Sequence, residues 1–109
     1  MEALARKLCD AINEICIEYY YNLKNGNAVD KALALREDIE KLAGGLFAAL
    51  GNDSESEELR SYTVGVLNDY IEAVKQRDEV LMLDTLDYGL RDILMIYIDE
   101  EEGAENNGQ

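Results

Sequence analysis

Apolar residues recur at spacings of three and four along most of the chain, which is the period of an α-helix with one buried face. The first series predicts a helix from about residue 2 to residue 24. Its apolar positions are Leu4, Leu8, Ile12, Ile15, Tyr19 and Leu23. Gly26 is expected to close this helix because glycine readily takes the left-handed conformation, and Asn27 is a candidate N-cap for the next helix.

A second series alternates spacings of four and three over three heptads and predicts one continuous helix over residues 28–49. Its positions are Ala28, Ala32, Leu35, Ile39, Leu42, Leu46 and Ala49. A seam of this kind is typical of helices that pack nearly antiparallel. Gly51, Asn52 and Asp53 follow it and are expected to stop the helix.

Two further helices complete the pattern. Ser54 and Glu57 have the spacing of a capping box and predict the start of a third helix that continues to about residue 76. Its stripe comprises Leu59, Tyr62, Val66, Leu67, Tyr70, Ile71 and Val74. Arg77 and Asp78 form the predicted break, with Asp78 as the N-cap of a fourth helix. The seam of that helix is Leu83, Leu86, Leu90, Ile93 and Tyr97.

The connections between these helices are short, so neighbours are expected to be antiparallel. The sequence therefore predicts an all-α fold, an up-down-up-down four-helix bundle, as a single domain over residues 1–99. Residues 100–109 contain no apolar side chain except Ala104 and predict a short disordered acidic tail.

Composition adds a strong negative charge. The chain has 24 acidic and 10 basic residues and a net charge of -14. Such a chain repels nucleic-acid phosphates and anionic membrane surfaces, so neither is an expected partner. The longest apolar run is far shorter than the roughly 20 residues that span a bilayer, and the N-terminal residues lack a signal pattern. A cytoplasmic protein is expected.

Metal, cofactor and enzyme chemistry find little support in the residues present. The chain has no His, which excludes the carboxylate and histidine ligand set of di-iron bundles. Asp84 and Asp87 share a helical face, a pattern more typical of a solvated surface. Cys9 and Cys16 are seven residues apart in one helix, about 10 Å along its axis, too far for a disulfide within the chain. They predict reduced core thiols.

Two other segments have some features of binding sites. Residues 52–58 are acidic but lack the glycine and the ligand spacing of a calcium loop. Gly44 and Gly45 lack the Gly-Lys-Ser/Thr pattern of a phosphate loop. We therefore expect no enzyme, no catalytic, metal or cofactor-binding residues, and no small-molecule substrate.

Glycines inside helices still need an explanation, because each costs about 1 kcal/mol relative to Ala. Gly44, Gly45, Gly65 and Gly89 lie within predicted helices. Close approach of two helices is one explanation. A notch that receives a partner's side chain is the other.

Six consecutive apolar residues, Ile93 to Ile98, close the fourth helix. At about 100° per residue they cover every face, whereas a helix on one core needs only a stripe. The seam assigns Ile93 and Tyr97 to the core, with Leu94 beside them. Candidate interface residues are therefore Met95, Ile96 and Ile98. Tyr21 joins them, because Tyr19, Tyr20 and Tyr21 cannot all face inward.

Acidic residues are concentrated in the second half of the chain. Residues 1–50 carry a net charge of -2 and residues 51–109 a net charge of -12. From Asp78 onward there are ten acids and one base, Arg91. This pattern indicates either a solvated face or a docking surface for a basic or amphipathic helix.

The segment from Asp78 to Leu90, DEVLMLDTLDYGL, resembles a segment of small uncharacterised bacterial helical proteins, some of which are linked to motility genes. The resemblance covers 13 of 109 residues. Where those proteins tend to have an acid after the Tyr, this chain has Gly89. The resemblance implies an accessory protein of the bacterial cytoplasm and no catalytic residues.

Two functions follow as hypotheses. The first is a non-enzymatic helical interaction or accessory protein that self-associates, as a homodimer, through the fourth helix. The alternative is a monomeric chaperone or regulator that binds a partner's amphipathic helix, with a link to motility.

Overall fold

The computed structural model describes residues 2–21 and 27–98. The regular secondary structure of the described residues is entirely helical, so the all-α prediction is confirmed. The elements are α1 (Glu2–Tyr21), α2 (Ala28–Leu33), α3 (Arg36–Ala49), α4 (Ser54–Gln76), α5 (Glu79–Asp84), a π-helix (Thr85–Leu90) and a final helix, α6, over residues 91–98. Within the described ranges no helix is both long enough and apolar enough to cross a bilayer.

Helix α1 buries the face that its apolar spacing predicts. Leu8, Ile12, Ile15 and Tyr19 are all buried, and Leu4 packs against the same core. The predicted end of this helix near residue 24 lies outside the described residues.

Both cysteines of α1 are free thiols, Cys16 buried and Cys9 half-buried. Desolvation by burial is the main reason that the pKa of each thiol is raised. The thiolate, which is the nucleophile and the metal ligand, is therefore disfavoured at neutral pH. This environment agrees with the prediction of core thiols.

The predicted continuous helix over residues 28–49 is interrupted, which corrects the prediction. Helix α2 ends at Leu33 and α3 begins at Arg36. Between them the N–H of Leu35 bonds to the carbonyl of Ala32, three residues back, at 3.0 Å. The apolar spacing did not reveal this break because Ala32 and Ile39, on either side of it, both remain buried.

Helix α4 covers the predicted residues, but its cap lies one residue earlier than predicted. The carboxylate of Asp53, and not the hydroxyl of Ser54, occupies the N-cap. It accepts hydrogen bonds from the N–H of Ser56 at 3.2 Å and from the Ser56 hydroxyl at 2.7 Å. A carboxylate at the N-cap also interacts favourably with the helix dipole, which explains why Asp53 is preferred.

The break at Arg77 and Asp78 is confirmed. Arg77 takes the left-handed conformation, with φ 49° and ψ 44°, and ends α4. The Asp78 carboxylate then accepts the N–H of Leu81 at 3.1 Å and caps α5. An ion pair of 2.9 Å between Arg77 and Asp30 ties this corner to α2.

The predicted fourth helix is not a uniform α-helix, because residues 85–90 are π-helical. At its end the N–H of Arg91 bonds to the carbonyl of Leu86, five residues back. A π-turn holds one extra residue, so positions beyond it are displaced around the axis relative to an unbroken α-helix. Beyond the π-helix Ile98 is buried and Tyr97 only half-buried, the reverse of the predicted seam.

Gly89 explains how the π-helix fits against α4. A Cβ at this position would lie 3.0 Å from Cγ2 of Val66, so the two elements approach closely there. Close approach of two helices, the explanation offered for the glycines inside helices, is wrong for Gly44 and Gly65, where an added Cβ would meet nothing within 4 Å.

Buried residues of all these elements form one hydrophobic core. Helix α1 packs against α2, α3 and the π-helix, whereas α4 packs against α5, the π-helix and α2. Two of the four predicted helices are thus divided, and the up-down-up-down order stays a prediction. The predicted tail, 100–109, lies outside the described residues.

Candidate protein-binding surface

The apolar run of residues 93–98 is largely explained by the core of the chain itself. Ile93, Leu94 and Ile98 are buried, and Met95 and Tyr97 pack against them. Ile96 is the exception, with 39% of its surface exposed. The helix is central in its own fold.

The structure buries some of the candidate interface residues and leaves others exposed. Ile98 is 5% exposed and belongs to the core, so it is unavailable to a partner of the folded chain. Met95 is half-buried. Ile96 and Tyr21 remain exposed, but Tyr21 ends α1 whereas Ile96 lies in α6.

A larger set of exposed side chains lies where α1, α4, α5 and the π-helix meet. We define the acid–tyrosine surface by five residues of these elements: Tyr20, Tyr62, Val80, Asp84 and Tyr88. Tyr20, Val80 and Tyr88 are each more than 60% exposed, and Tyr62 is 44% exposed. Three of the exposed tyrosine rings of the described residues therefore lie on one surface.

Two clefts make this surface continuous. A cleft of about 210 Å³ lies between α1 and α5 and includes Tyr20, Val80 and Asp84. A second cleft, of about 230 Å³, lies between α4 and the π-helix and includes Tyr62, Asp84 and Tyr88. Asp84 belongs to both clefts and joins them.

The local structure of residues 84–90 positions this surface. The hydroxyl of Thr85 donates a hydrogen bond to the carbonyl of Leu81 at 2.7 Å, four residues back. Gly89 lets the π-helix lie directly on Val66 of α4. Tyr88, the preceding residue, is thereby brought to the same cleft as Tyr62, although the two are far apart in the chain.

Negative charge on this surface is only partly compensated. Arg91 forms an ion pair with Asp87 at 2.9 Å, and Asp92 accepts a hydrogen bond from the Tyr62 hydroxyl at 3.1 Å. Asp84 and its neighbour Asp69, in contrast, have no ion-pair partner among residues 2–21 and 27–98. Their charge is available to a cation from outside the chain.

Desolvation and neighbouring acids raise the pKa of two of these tyrosines. Partial desolvation, followed by the negative charge of neighbours that include Asp87 and Asp84, raises the pKa of Tyr20. Desolvation and the hydrogen bond to Asp92 raise the pKa of Tyr62. Like any tyrosine near neutral pH, both rings are phenols, with a face that attracts cations and an O–H that donates.

Metal ligation has no geometric basis in the part of the chain that the structure describes. There, no group of three or more Cys, Asp or Glu side chains is placed to hold an ion. The acids of the acid–tyrosine surface are better suited to the charge of a Lys or Arg side chain, which needs no defined coordination shell.

The sequence indicates an acidic face in the second half of the chain, either solvated or a docking surface, but it does not identify these residues. Val80 and Tyr88 lie off the predicted seam, which is the one signal that they are exposed. Tyr20 comes from another helix, and only the fold places it near Asp84. Comparison with protein-family models, curated proteins and solved structures finds no match to this chain.

Proposed function

We propose that this chain is a non-enzymatic helical interaction protein that binds a basic amphipathic helix of a partner protein on the acid–tyrosine surface. The observation that carries the proposal is the arrangement of exposed Tyr20, Tyr62 and Tyr88 around Asp84, whose carboxylate has no ion-pair partner within the described ranges.

Exposed rings and Val80 supply the contact area. Tyr is enriched in the centres of protein interfaces because it offers a large, rigid surface with few rotatable bonds and a polar end. The two clefts give an apolar face of a helix somewhere to insert side chains at spacings of three and four. A flat acidic surface would offer no such receptors.

Charge supplies orientation and selectivity. Asp69 and Asp84 favour a Lys or Arg beside the inserted side chains, and each phenol ring adds a cation–π contribution of about 0.5–1 kcal/mol when exposed. An acidic helix would be repelled by the same groups. The preferred partner is therefore basic on one face and apolar on the other.

This choice takes from the second sequence hypothesis the binding of a partner's amphipathic helix, and it does not depend on whether the chain is a monomer. Self-association through the fourth helix has less support, because Ile98 is in the core and Met95 is half-buried, and of its candidate residues in that helix only Ile96 is exposed. Residues 78–90, which resemble bacterial proteins linked to motility genes, contribute Val80, Asp84 and Tyr88 to the surface. We accordingly place the proposed accessory role in the bacterial cytoplasm.

The test uses two synthetic 18-residue amphipathic helices that share an apolar face of Leu and differ only in Lys or Glu at the polar positions. Fluorescence anisotropy of the labelled peptides measures their binding to the full chain. We expect the Lys peptide to bind at least tenfold more tightly, with affinity falling as salt screens the charges. Equal binding of the Lys and Glu peptides would overturn the proposal.

Variants locate the site. Asp84→Lys and Tyr88→Ala are each expected to weaken binding of the Lys peptide about tenfold or more, in the range of interface hot spots. Glu37→Lys is the matched control, since Glu37 is exposed on α3 and its replacement changes the net charge equally. Equal weakening by Asp84→Lys and Glu37→Lys would show a nonspecific charge effect and refute this site.

A further inference from the structure

A second groove lies between α3 and α4, away from the acid–tyrosine surface. It consists of two cavities of about 140 and 150 Å³ that share Arg36, Tyr70 and Ile71. Glu40 lines only the first cavity and Lys75 only the second. The groove is therefore continuous, with an acid at one end and a base at the other.

The apolar side of α4 beside this groove is only partly covered, because Leu67 and Val74 pack against the core whereas Ile71 remains exposed. Val64, Leu67, Ile71 and Val74 follow spacings of three and four along one side of the helix. Val64 and Ile71 are 44% and 50% exposed. Burying these two exposed side chains under a cover would remove apolar surface from water.

No described helix supplies that cover. Helix α3 borders the groove, yet it packs mainly on α1, and α4 has its main contacts with α5, the π-helix and α2. Gly44 of α3 lies two turns beyond Arg36 and faces open space, so α3 also has room there for an approaching helix.

The charges at the groove identify the kind of cover. Arg36 and Lys75 both line it, in a chain that has only ten basic residues. Arg36 lies 3.3 Å from Glu40 in an exposed pair, and Lys75 has no ion pair within residues 2–21 and 27–98. Both signs are present, so this groove repels a second copy of the chain, whose net charge is -14, less than a uniformly acidic face would.

The order of these charges is self-complementary. A two-fold axis through the centre of the groove, at Ile71, exchanges its ends, so that Lys75 of one copy faces Glu40 of the other. The exposed Ile71 side chains then meet at the axis. We propose that the chain forms a homodimer through the α3–α4 groove, with Ile71 at the two-fold axis.

The dimer leaves the acid–tyrosine surface free. Asp69 and Ile71 are two residues apart on α4, which corresponds to about 200° around the helix axis. The groove and the acid–tyrosine surface therefore lie on opposite sides of α4. Each dimer would present two partner-binding surfaces, and dimerisation does not depend on the function proposed above.

Sedimentation equilibrium of the full chain between 5 and 200 µM tests the proposal. We expect a concentration-dependent approach to twice the chain mass of 12.3 kDa. Ile71→Asp is expected to weaken self-association at least tenfold, with an unchanged circular dichroism spectrum because Ile71 is half exposed. Ile17→Asp is the control, since Ile17 is 57% exposed on α1, and it should remain dimeric.

A charge exchange tests the two-fold register. Lys75→Glu alone should weaken the dimer, and adding Glu40→Lys should restore much of the loss because the two positions face each other. A monomeric chain at 200 µM, or an Ile71→Asp variant as dimeric as wild type, would overturn the proposal. Absence of rescue by Glu40→Lys would overturn the two-fold register.

The two proposals fail separately. The Ile71→Asp monomer is expected to bind the Lys peptide with the wild-type affinity per chain, because the acid–tyrosine surface is intact. If this monomer lost peptide binding while it stayed folded, the claim that the two surfaces are independent would be refuted.

Discussion

The hydroxyl of Tyr70 in α4 donates a hydrogen bond of 2.9 Å to the main-chain carbonyl of Ala32 in α2. In an unbroken helix this carbonyl would accept the N–H of Arg36. Instead it accepts the N–H of Leu35 and the phenol of Tyr70, and both Ala32 and Tyr70 are buried. The tyrosine thus satisfies a polar group at the place where the helix breaks, and it joins α2 to α4.

Replacing Tyr70 with Phe removes this hydrogen bond and keeps the ring. We expect a loss of about 1 kcal/mol in the free energy of unfolding, because a buried carbonyl loses a partner. Urea denaturation measures the change. Tyr97→Phe is the control: the Tyr97 hydroxyl is buried without a hydrogen-bond partner among the described residues, so its removal should be neutral or stabilising. Equal losses would contradict the assignment.

Gly89→Ala is expected to destabilise the fold by about 1–2 kcal/mol, since the new methyl group would crowd Val66. Gly44→Ala should instead stabilise it by about 0.5–1 kcal/mol, because helix propensity improves and the site is open. Thermal and urea denaturation report both changes.

A double variant tests whether crowding against Val66 causes the destabilisation by Gly89→Ala. If crowding is responsible, combining Gly89→Ala with Val66→Ala should give a smaller total loss than the sum of the two single variants. Strict additivity would argue against a direct contact between these positions.

Ile98 and Ile96 are expected to respond differently to truncation. Ile98→Ala should cost about 2–4 kcal/mol because it leaves a cavity in the core. Ile96→Ala, at an exposed position, should cost about 0.5 kcal/mol or less. Similar effects on the free energy of unfolding would contradict the placement of Ile98 inside and Ile96 outside.

The free energy of unfolding should depend on pH through the Asp53 carboxyl, which caps α4. Hydrogen bonds, first of all from the Ser56 hydroxyl, hold the pKa of Asp53 below its usual value of 3.8. A lowered pKa in the folded state means that the ionised cap stabilises the fold above the unfolded pKa. That contribution is lost as the pH falls through the lower folded value.

We therefore expect Asp53→Ala to be less stable than wild type at pH 7 and the difference to shrink as the pH falls below about 4. Comparing the two chains by urea denaturation at each pH cancels the titration of the other acids. A difference that stays constant to pH 3 would show that the charge of Asp53 does not contribute.

Short-range chemistry determined what the sequence alone predicted correctly. The limits of α4, the break at Arg77 and the cap at Asp78 depend on hydrogen bonds between residues three to five positions apart, which the sequence places together. The buried face of α1 follows from helical periodicity in the same way.

Tertiary contacts decided the rest, because their partners are distant in the chain. At the break before Arg36, the hydroxyl of Tyr70 bonds to the main-chain carbonyl of Ala32. The π-helix lies against Val66 at Gly89. The displacement that it introduces buries Ile98 and leaves Tyr97 at the edge of the core. Apolar periodicity cannot encode a one-residue shift that is stabilised by another helix.

The two proposed surfaces show the same division. Sequence spacing predicted that Tyr70 and Ile71 are both apolar positions of one helix, but not that Tyr70 would reach α2 while Ile71 stays half exposed. Nor did it bring Tyr20 of α1 to Asp84 of α5. Composition and periodicity determined the helices and their charge, whereas packing between distant segments decided which faces remain open to a partner.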